Sequence, residues 1–246
     1  MKTTFTLIFL LFFIPIVLAG VVKIGVKMGV KGEISALFYN TSNGVLKVNP
    51  EFYNTGSVAY KVRIRLDILN STDIIFTGWS KEETLMPGER KNFEIYWYTP
   101  RTENIVAKLR AYYGKEITER ETKFKVEKNQ TLEDVFQIKN FRTYDDSIKF
   151  QIRSNKSLNN VLVIPKNYIM GWVFEQKKIE NLNANQNVEV IIPYEADVWF
   201  SHDINIHVVT EDGRYYSDFS FTLQKEKGLW KYIHYIIDKF NLFFNL

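Results

Sequence analysis

Runs of strictly alternating apolar and polar residues, each closed by turn residues, recur about every ten positions along most of this chain. VLKVNPEFYN (45–54), YKVRIRLDIL (60–69), RKNFEIYWY (90–98), NIVAKLRAYY (104–113), SIKFQIRS (147–154), VEVIIPY (188–194), INIHVVT (204–210) and RYYSDFSFTL (214–223) all follow the pattern. Successive side chains on a strand point to opposite faces, so such a run buries one face and wets the other. Between them stand SNG (42–44), NTGS (54–57), MPGE (86–89) and EDGR (211–214), whose Gly, Asn and Pro residues suit tight turns. The pattern predicts an all-β chain of antiparallel strands stacked as sandwiches.

An internal repeat divides these strands. Gly78-Trp79 is followed 21 residues after the tryptophan by Pro100, and Gly171-Trp172 at the same distance by Pro193. A strand lies inside each interval, NFEIYWY (92–98) and NVEVIIPY (187–194). Downstream, LRAYYGKEITERETKFKVEK (109–128) matches VVTEDGRYYSDFSFTLQKEK (208–227), a strand, a glycine turn and a closing strand ending in Lys and Glu. Upstream, LKVNPEFYNTGSVAYKVRI (46–64) matches IKFQIRSNKSLNNVLVI (148–164), with the polar turn opened by Asn54 or Asn155 and PGE (87–89) replaced by NAN (183–185). Three matches in one order predict two copies of one domain, 20–128 and 129–227, joined near Lys128 to Thr131. The NSTD turn (70–73) has no counterpart in the second copy.

The run YNTGSVAYKVRIRLDIL, a following Trp, and LMPGERKNFEIYWY are similar to CARDB-type domains, the cell-adhesion-related immunoglobulin-like modules of bacterial and archaeal surface proteins. Asn54 and Gly56 stand where that family has its N-x-G turn, and Pro87, Gly88 and Glu89 where it has P-G-E, across about residues 30–127. The resemblance implies two tandem immunoglobulin-like antiparallel β-sandwiches in a cell-surface setting. It carries over no active site.

No catalytic constellation emerges from the residues. The chain lacks cysteine, which excludes disulfides, thiolate metal sites and thiol nucleophiles. Its three histidines are His202, His207 and His234; the first two are five apart on a strand and point to opposite faces, so no metal site is expected. Ser201-His202-Asp203 is adjacent in sequence, whereas a nucleophilic triad converges in space. Asp145-Asp146 and Glu211-Asp212 read as hairpin tips, without the alternate oxygen ligands of a calcium loop. No phosphate-binding glycine loop is present, so no cofactor is expected. The net charge of +4 arises from intermixed signs, which argues against a nucleic-acid surface.

Both ends suggest export and attachment. Residues 1–19 carry Lys2, an apolar run from Phe5 to Leu18, and small residues Val17 and Ala19 before a cut at Gly20, the three parts of a signal peptide. The competing reading is an uncleaved anchor, since Phe5 to Val22 is about long enough to span a bilayer. Four sequons, at Asn40, Asn70, Asn129 and Asn155, are possible glycosylation sites of an exported chain.

Residues 228–246, GLWKYIHYIIDKFNLFFNL, read as an amphipathic helix with an apolar arc of about 200°. Trp230, Ile233, Ile236, Ile237, Phe240, Phe243 and Phe244 would make the membrane or partner contact. Lys231, Asp238 and Lys239 disfavour a full span, each costing about 2.5–3.5 kcal/mol near the bilayer centre. Three surfaces compete for that arc: a membrane interface, a protein partner, or the chain's own second sandwich.

In FEIYWY (93–98), Phe93, Ile95 and Trp97 fall on one face and Tyr96 and Tyr98 on the other, which would make these tyrosines an exposed platform for glycan or protein. One tyrosine of each doublet, Tyr112–Tyr113 and Tyr215–Tyr216, would join them. The expectation is a non-enzymatic, exported, extracellular or cell-surface protein, membrane-associated, acting as an adhesion, interaction or structural module. The alternatives are a secreted carbohydrate-binding or enzyme-accessory module using those tyrosines, or a hydrolase whose carboxylates meet only in three dimensions.

Overall fold

The computed structural model describes residues 29–129, 133–196 and 201–223. In the first half the strands are β1 (Gly32–Ser42), β2 (Val45–Asn54), β3 (Tyr60–Asn70), β4 (Asp73–Trp79), β5 (Glu83–Leu85), β6 (Arg90–Asn92), β7 (Ile95–Tyr98), β8 (Glu103–Tyr113) and β9 (Glu116–Val126). The second half has β10 (Phe136–Thr143), β11 (Ser147–Ser154), β12 (Leu158–Lys166), β13 (Val173–Phe174), β14 (Lys177–Leu182), β15 (Asn187–Glu195), β16 (His202–Thr210) and β17 (Tyr216–Leu223). All pairings within sheets are antiparallel, and no helix occurs among the described residues.

These strands form four sheets. In the first half, β1-β2-β6, with β7 also on β2, faces β4-β3-β8-β9, with β5 also on β3. In the second, β10-β11-β15-β13 faces β14-β12-β16-β17. The shared order is β1-β2-β6/β7 with β5-β3-β8-β9, against β10-β11-β15 with β14-β12-β16-β17. Alternation fills each interior: Leu46, Val48, Phe52 and Ile95 meet Ile64, Leu66 and Leu109 in one core. Phe150, Ile152 and Ile192 meet Val161, Val163, Ile204 and Ile206 in the other.

The two turns that carry the family resemblance meet through one side chain. Buried Asn54 donates from Nδ2 to the carbonyls of Val58 (3.0 Å) and Leu85 (3.1 Å), while its Oδ1 accepts the Gly56 N–H at 2.9 Å. Its carbonyl accepts the Gly88 N–H at 2.9 Å, and Gly88 adopts φ +79°. In the second copy the Asn185 N–H bonds to the Ser154 carbonyl at 2.7 Å, with Asn185 at φ +62°. This corrects the sequence alignment by one residue. Ser154, not Asn155, corresponds to Asn54, and Ala184-Asn185-Gln186, not NAN, replaces Pro-Gly-Glu. Asparagine tolerates the left-handed conformation that the turn demands, which is why the motif survives without its glycine.

Strands β12 and β16 are buried on both faces. Val161 and Val163 enter the second core, whereas Leu162, Ile164 and Val209 belong to the first. A strand covered on both sides needs a continuous apolar run, and Val161 to Ile164 is one. The outer face of the β14-β12-β16-β17 sheet therefore packs on the first half, with β12 against β4 and β7.

Candidate functional site at the joint between the halves

The joint is built on β7, a four-residue strand at a sheet edge. Ile95 and Trp97 point into the first core and Tyr96 and Tyr98 point away, as alternation predicts. All four are nonetheless buried, Tyr96 and Tyr98 at 4% and 3% exposure. The platform expected at these two residues is corrected: the outer face of β7 is covered by the second half. Their hydroxyls follow suit. Tyr96 Oη donates to Glu94 at 2.7 Å, and burial together with that carboxylate drives its pKa well up. Burial alone pushes the Tyr98 phenol up to about 12.

An exposed strand edge has free N–H and C=O groups, and a side chain closes this one. The Tyr96 N–H donates to Gln176 Oε1 at 2.7 Å, and Gln176 Nε2 donates back to the Tyr96 carbonyl at 2.7 Å. The carboxamide acts as a one-residue neighbouring strand, capping the edge as natural sheets require. Next to it, Trp79 forms a parallel bridge with Glu175, and the Trp79 indole N–H donates to the Trp172 carbonyl at 3.1 Å. The two tryptophans that mark the repeat thus touch across the joint. Tyr168 donates to the Thr77 carbonyl at 2.6 Å, and its desolvated phenol has a raised pKa.

A second lock joins two hairpin turns. Asn43 Nδ2 donates to the Gly213 carbonyl at 2.7 Å, and Lys128 Nζ donates to the carbonyls of Gly213 (3.1 Å) and Asn43 (3.3 Å). Gly213 has φ +68°, and a Cβ there would lie 2.3 Å from the Asn43 carbonyl oxygen. Between the locks, Tyr98 stacks on Tyr216 at 4.5 Å, and Tyr216 Oη lies 2.8 Å from His207 Nδ1. His207 is 4% exposed, and burial lowers its pKa to about 3, so the ring is neutral near pH 7. At the rim, Lys47 reaches Glu94 (2.8 Å) and Glu211 (3.4 Å), and Arg63 reaches Glu195 at 2.8 Å.

A cleft of about 200 Å³ opens at the joint's edge, lined among others by Trp79, Glu83, Phe93, Tyr96 and Gln176. Its indole N–H and carboxamide are already engaged across the joint, and its phenol is bonded to Glu94.

The other candidate tyrosines also serve the fold: Tyr113 donates to the Gly32 carbonyl at 2.9 Å, Tyr112 packs on Trp79, and Lys156 lies over Tyr215. Ser201-His202-Asp203 does not converge, because His202 Nε2 meets the Asn167 carbonyl while Asp203 accepts from Thr222. Among the described residues no group of three or more His, Cys, Asp or Glu is arranged to hold a metal ion. Asn40, Asn70, Asn129 and Asn155 are exposed. The signal segment 1–19 and residues 228–246, including Trp230, Ile233, Ile236, Ile237, Phe240, Phe243 and Phe244, lie outside the described residues. No helix among the described residues is long and apolar enough to cross a membrane.

No family model matches the chain, and no characterised protein matches it by sequence. Similar solved structures are distant. Red sea bream transglutaminase gives a TM-score of 0.29 at 7% identity over 81% of this chain, which spans only 32% of the fish protein. The CsuC–CsuE chaperone–tip adhesion subunit complex of Acinetobacter baumannii gives 0.26 at 12%, covering 76% of this chain and 98% of that one. The chicken interferon gamma receptor alpha chain gives 0.24 at 9%, covering 79% and 98%. Scores this low carry no function across.

Proposed function

We propose that this chain is a non-enzymatic exported protein of a cell surface or envelope, an interaction or structural module of adhesion-related, immunoglobulin-like type. In this reading its two sandwiches form a stiff arm, and the segment 228–246 attaches that arm to a membrane or a partner subunit. The observation that carries the reading is the joint. Tandem domains on a short linker move independently unless their interface is substantial and well packed. Here one sheet face is buried, both β7 tyrosines are sealed, and hydrogen bonds lock the two ends of the contact. A stiff arm suits a protein that holds something at a fixed distance and orientation. It has no evident use in a chain whose domains need to close on a substrate.

Fractionation tests the attachment. The full chain should sediment with membranes or with a partner complex, and deletion of 229–246 should release it into the soluble fraction with an unchanged melting transition. If full and shortened chains are equally soluble and monomeric in the source cell, the attachment is refuted. Identification of whatever remains bound to the full chain separates membrane from partner.

A further inference from the structure

Most of the sheet edges have a device that discourages further pairing. Gln176 caps β7, and the bridge to Glu175 with the Tyr168 contact covers the end of β4. β9 is charged from Glu116 to Lys125, and β14 carries Lys177, Lys178 and Glu180. β10 has an irregularity between Lys139 and Arg142, β13 is two residues long, and β17 has Asp218. Charges, bulges and short strands are the usual guards of an edge. β1 pairs with β2 alone; its irregularity lies between Ile34 and Ala36, and from Leu37 to Ser42 it has a regular register, no charge and no proline. Phe38 and Tyr39 on it are 58% and 60% exposed.

The hairpin fixes which β1 groups face outward. Asn43 and Gly44, at φ +43° and +90°, form a two-residue loop closing the pair Ser42↔Val45. That closing pair is hydrogen-bonded, and bonded and non-bonded pairs alternate along the ladder. Asn40↔Lys47 and Phe38↔Asn49 are therefore bonded, whereas Thr41↔Leu46, Tyr39↔Val48 and Leu37↔Pro50 are not. Pro50, which has no N–H, falls on a non-bonded pair, consistent with this phase. Leu37, Tyr39 and Thr41 thus direct their N–H and C=O groups away from β2.

We propose that β1 is a strand-addition edge whose occupant is β1 of a second copy of this chain, antiparallel and centred on Tyr39. Two uncharged strands face each other without like-charge repulsion, while a charged segment from another protein would find no opposite charge on this stretch. Centred on Tyr39, the register places Tyr39 opposite Tyr39 and Leu37 opposite Thr41 of the second copy, all in bonded pairs. About six backbone hydrogen bonds form. Phe38 packs beside Asn40 of the second copy, and each four-stranded sheet continues into the other about a twofold axis. A glycan on Asn40 would block this contact, so the pairing belongs to chains not modified there.

The test uses the full chain, made in a host that does not glycosylate it. Because the chain has no cysteine, a disulfide between two copies can form only at the introduced position. Bonded antiparallel partners lie about 5.5 Å apart at Cα, within disulfide range. Mild oxidation should convert Tyr39→Cys largely to covalent dimer. Leu37→Cys, whose partner is Thr41, and Ile117→Cys on β9 should stay at least several-fold lower. Tyr39→Pro removes an N–H that is not bonded to β2, so it should halve the mass seen by sedimentation; because it also removes the ring packed on Phe124, Tyr39→Phe, which keeps that ring and the N–H, should stay as dimeric as the parent. The proposal is overturned if Tyr39→Cys forms no more dimer than Ile117→Cys. It is equally overturned if Tyr39→Cys links only to a different protein, or if Tyr39→Pro remains as dimeric as the parent.

Discussion

Replacing Gln176 with alanine isolates the capped edge of β7. The carboxamide makes two 2.7 Å hydrogen bonds to the Tyr96 peptide groups, and Tyr96 is 4% exposed. Gln176→Ala leaves one N–H and one C=O without partners. Each such group costs about 1–3 kcal/mol when buried. The adjoining cleft admits water, which places each near the low end, for a total loss of about 2–4 kcal/mol. In a chain of this size each kcal/mol shifts the melting temperature by about 2–4 °C, so a drop of roughly 4–16 °C is expected in calorimetry. Gln176→Glu should not rescue it, since a carboxylate accepts the N–H but presents its second oxygen to the Tyr96 carbonyl. Lys177→Ala is the control: it loses only a 3.5 Å surface pair with Glu175, worth less than about 1 kcal/mol. Because the lost bonds cross the joint, a single parent transition should broaden or split as the halves uncouple. If Gln176→Ala melts with the parent, the carboxamide is not what seals the edge.

Two further substitutions probe the rest of the joint. Gly213→Ala forces an L residue to φ +68° with its Cβ 2.3 Å from the Asn43 carbonyl oxygen, so it should lower stability by about 1–3 kcal/mol in urea unfolding. His207 gives a pH signature with a definite sign: its folded pKa is depressed from 6.5 to about 3, so the unfolded chain takes up the proton first. Stability should fall as pH drops from about 6.5 toward 3, by up to about 1.4 kcal/mol per pH unit. The carboxylates at the rim, Glu94 and Glu195, are held below their ordinary 4.5, so their stabilisation is fully present above about 4.5 and is lost only as pH falls further. The window from 6.5 to 4.5 thus reports His207, and His207→Gln should flatten urea midpoints across it.

What the sequence made legible follows from the range of each signal. Alternation is a property of neighbours in sequence, so it identified the strands and the inward side of FEIYWY. The spacing of Trp79 and Trp172 to their prolines is also local within each half, so the repeated pattern was visible in the sequence. The one-residue error at Ser154 arose because Asn155 looks like Asn54, whereas the structural equivalence lies in which backbone carbonyl the opposite turn uses. The joint was not readable from alternation alone. Alternation tells which side chains leave the core; it does not tell whether another face waits for them. Tyr96 and Tyr98 are covered by residues 80 to about 118 positions away, of which Gln176 sits in a polar stretch with nothing to mark it. One clue was present. VLVI (161–164) is apolar at four consecutive positions where a half-buried strand would alternate, so β12 had to bury both faces. A second apolar face in one copy requires a matching face in the other, and in the first copy FEIYWY offers aromatic residues on both sides. Read together, the two departures from ideal alternation locate the joint, although either alone reads as an ordinary core strand or an exposed aromatic patch.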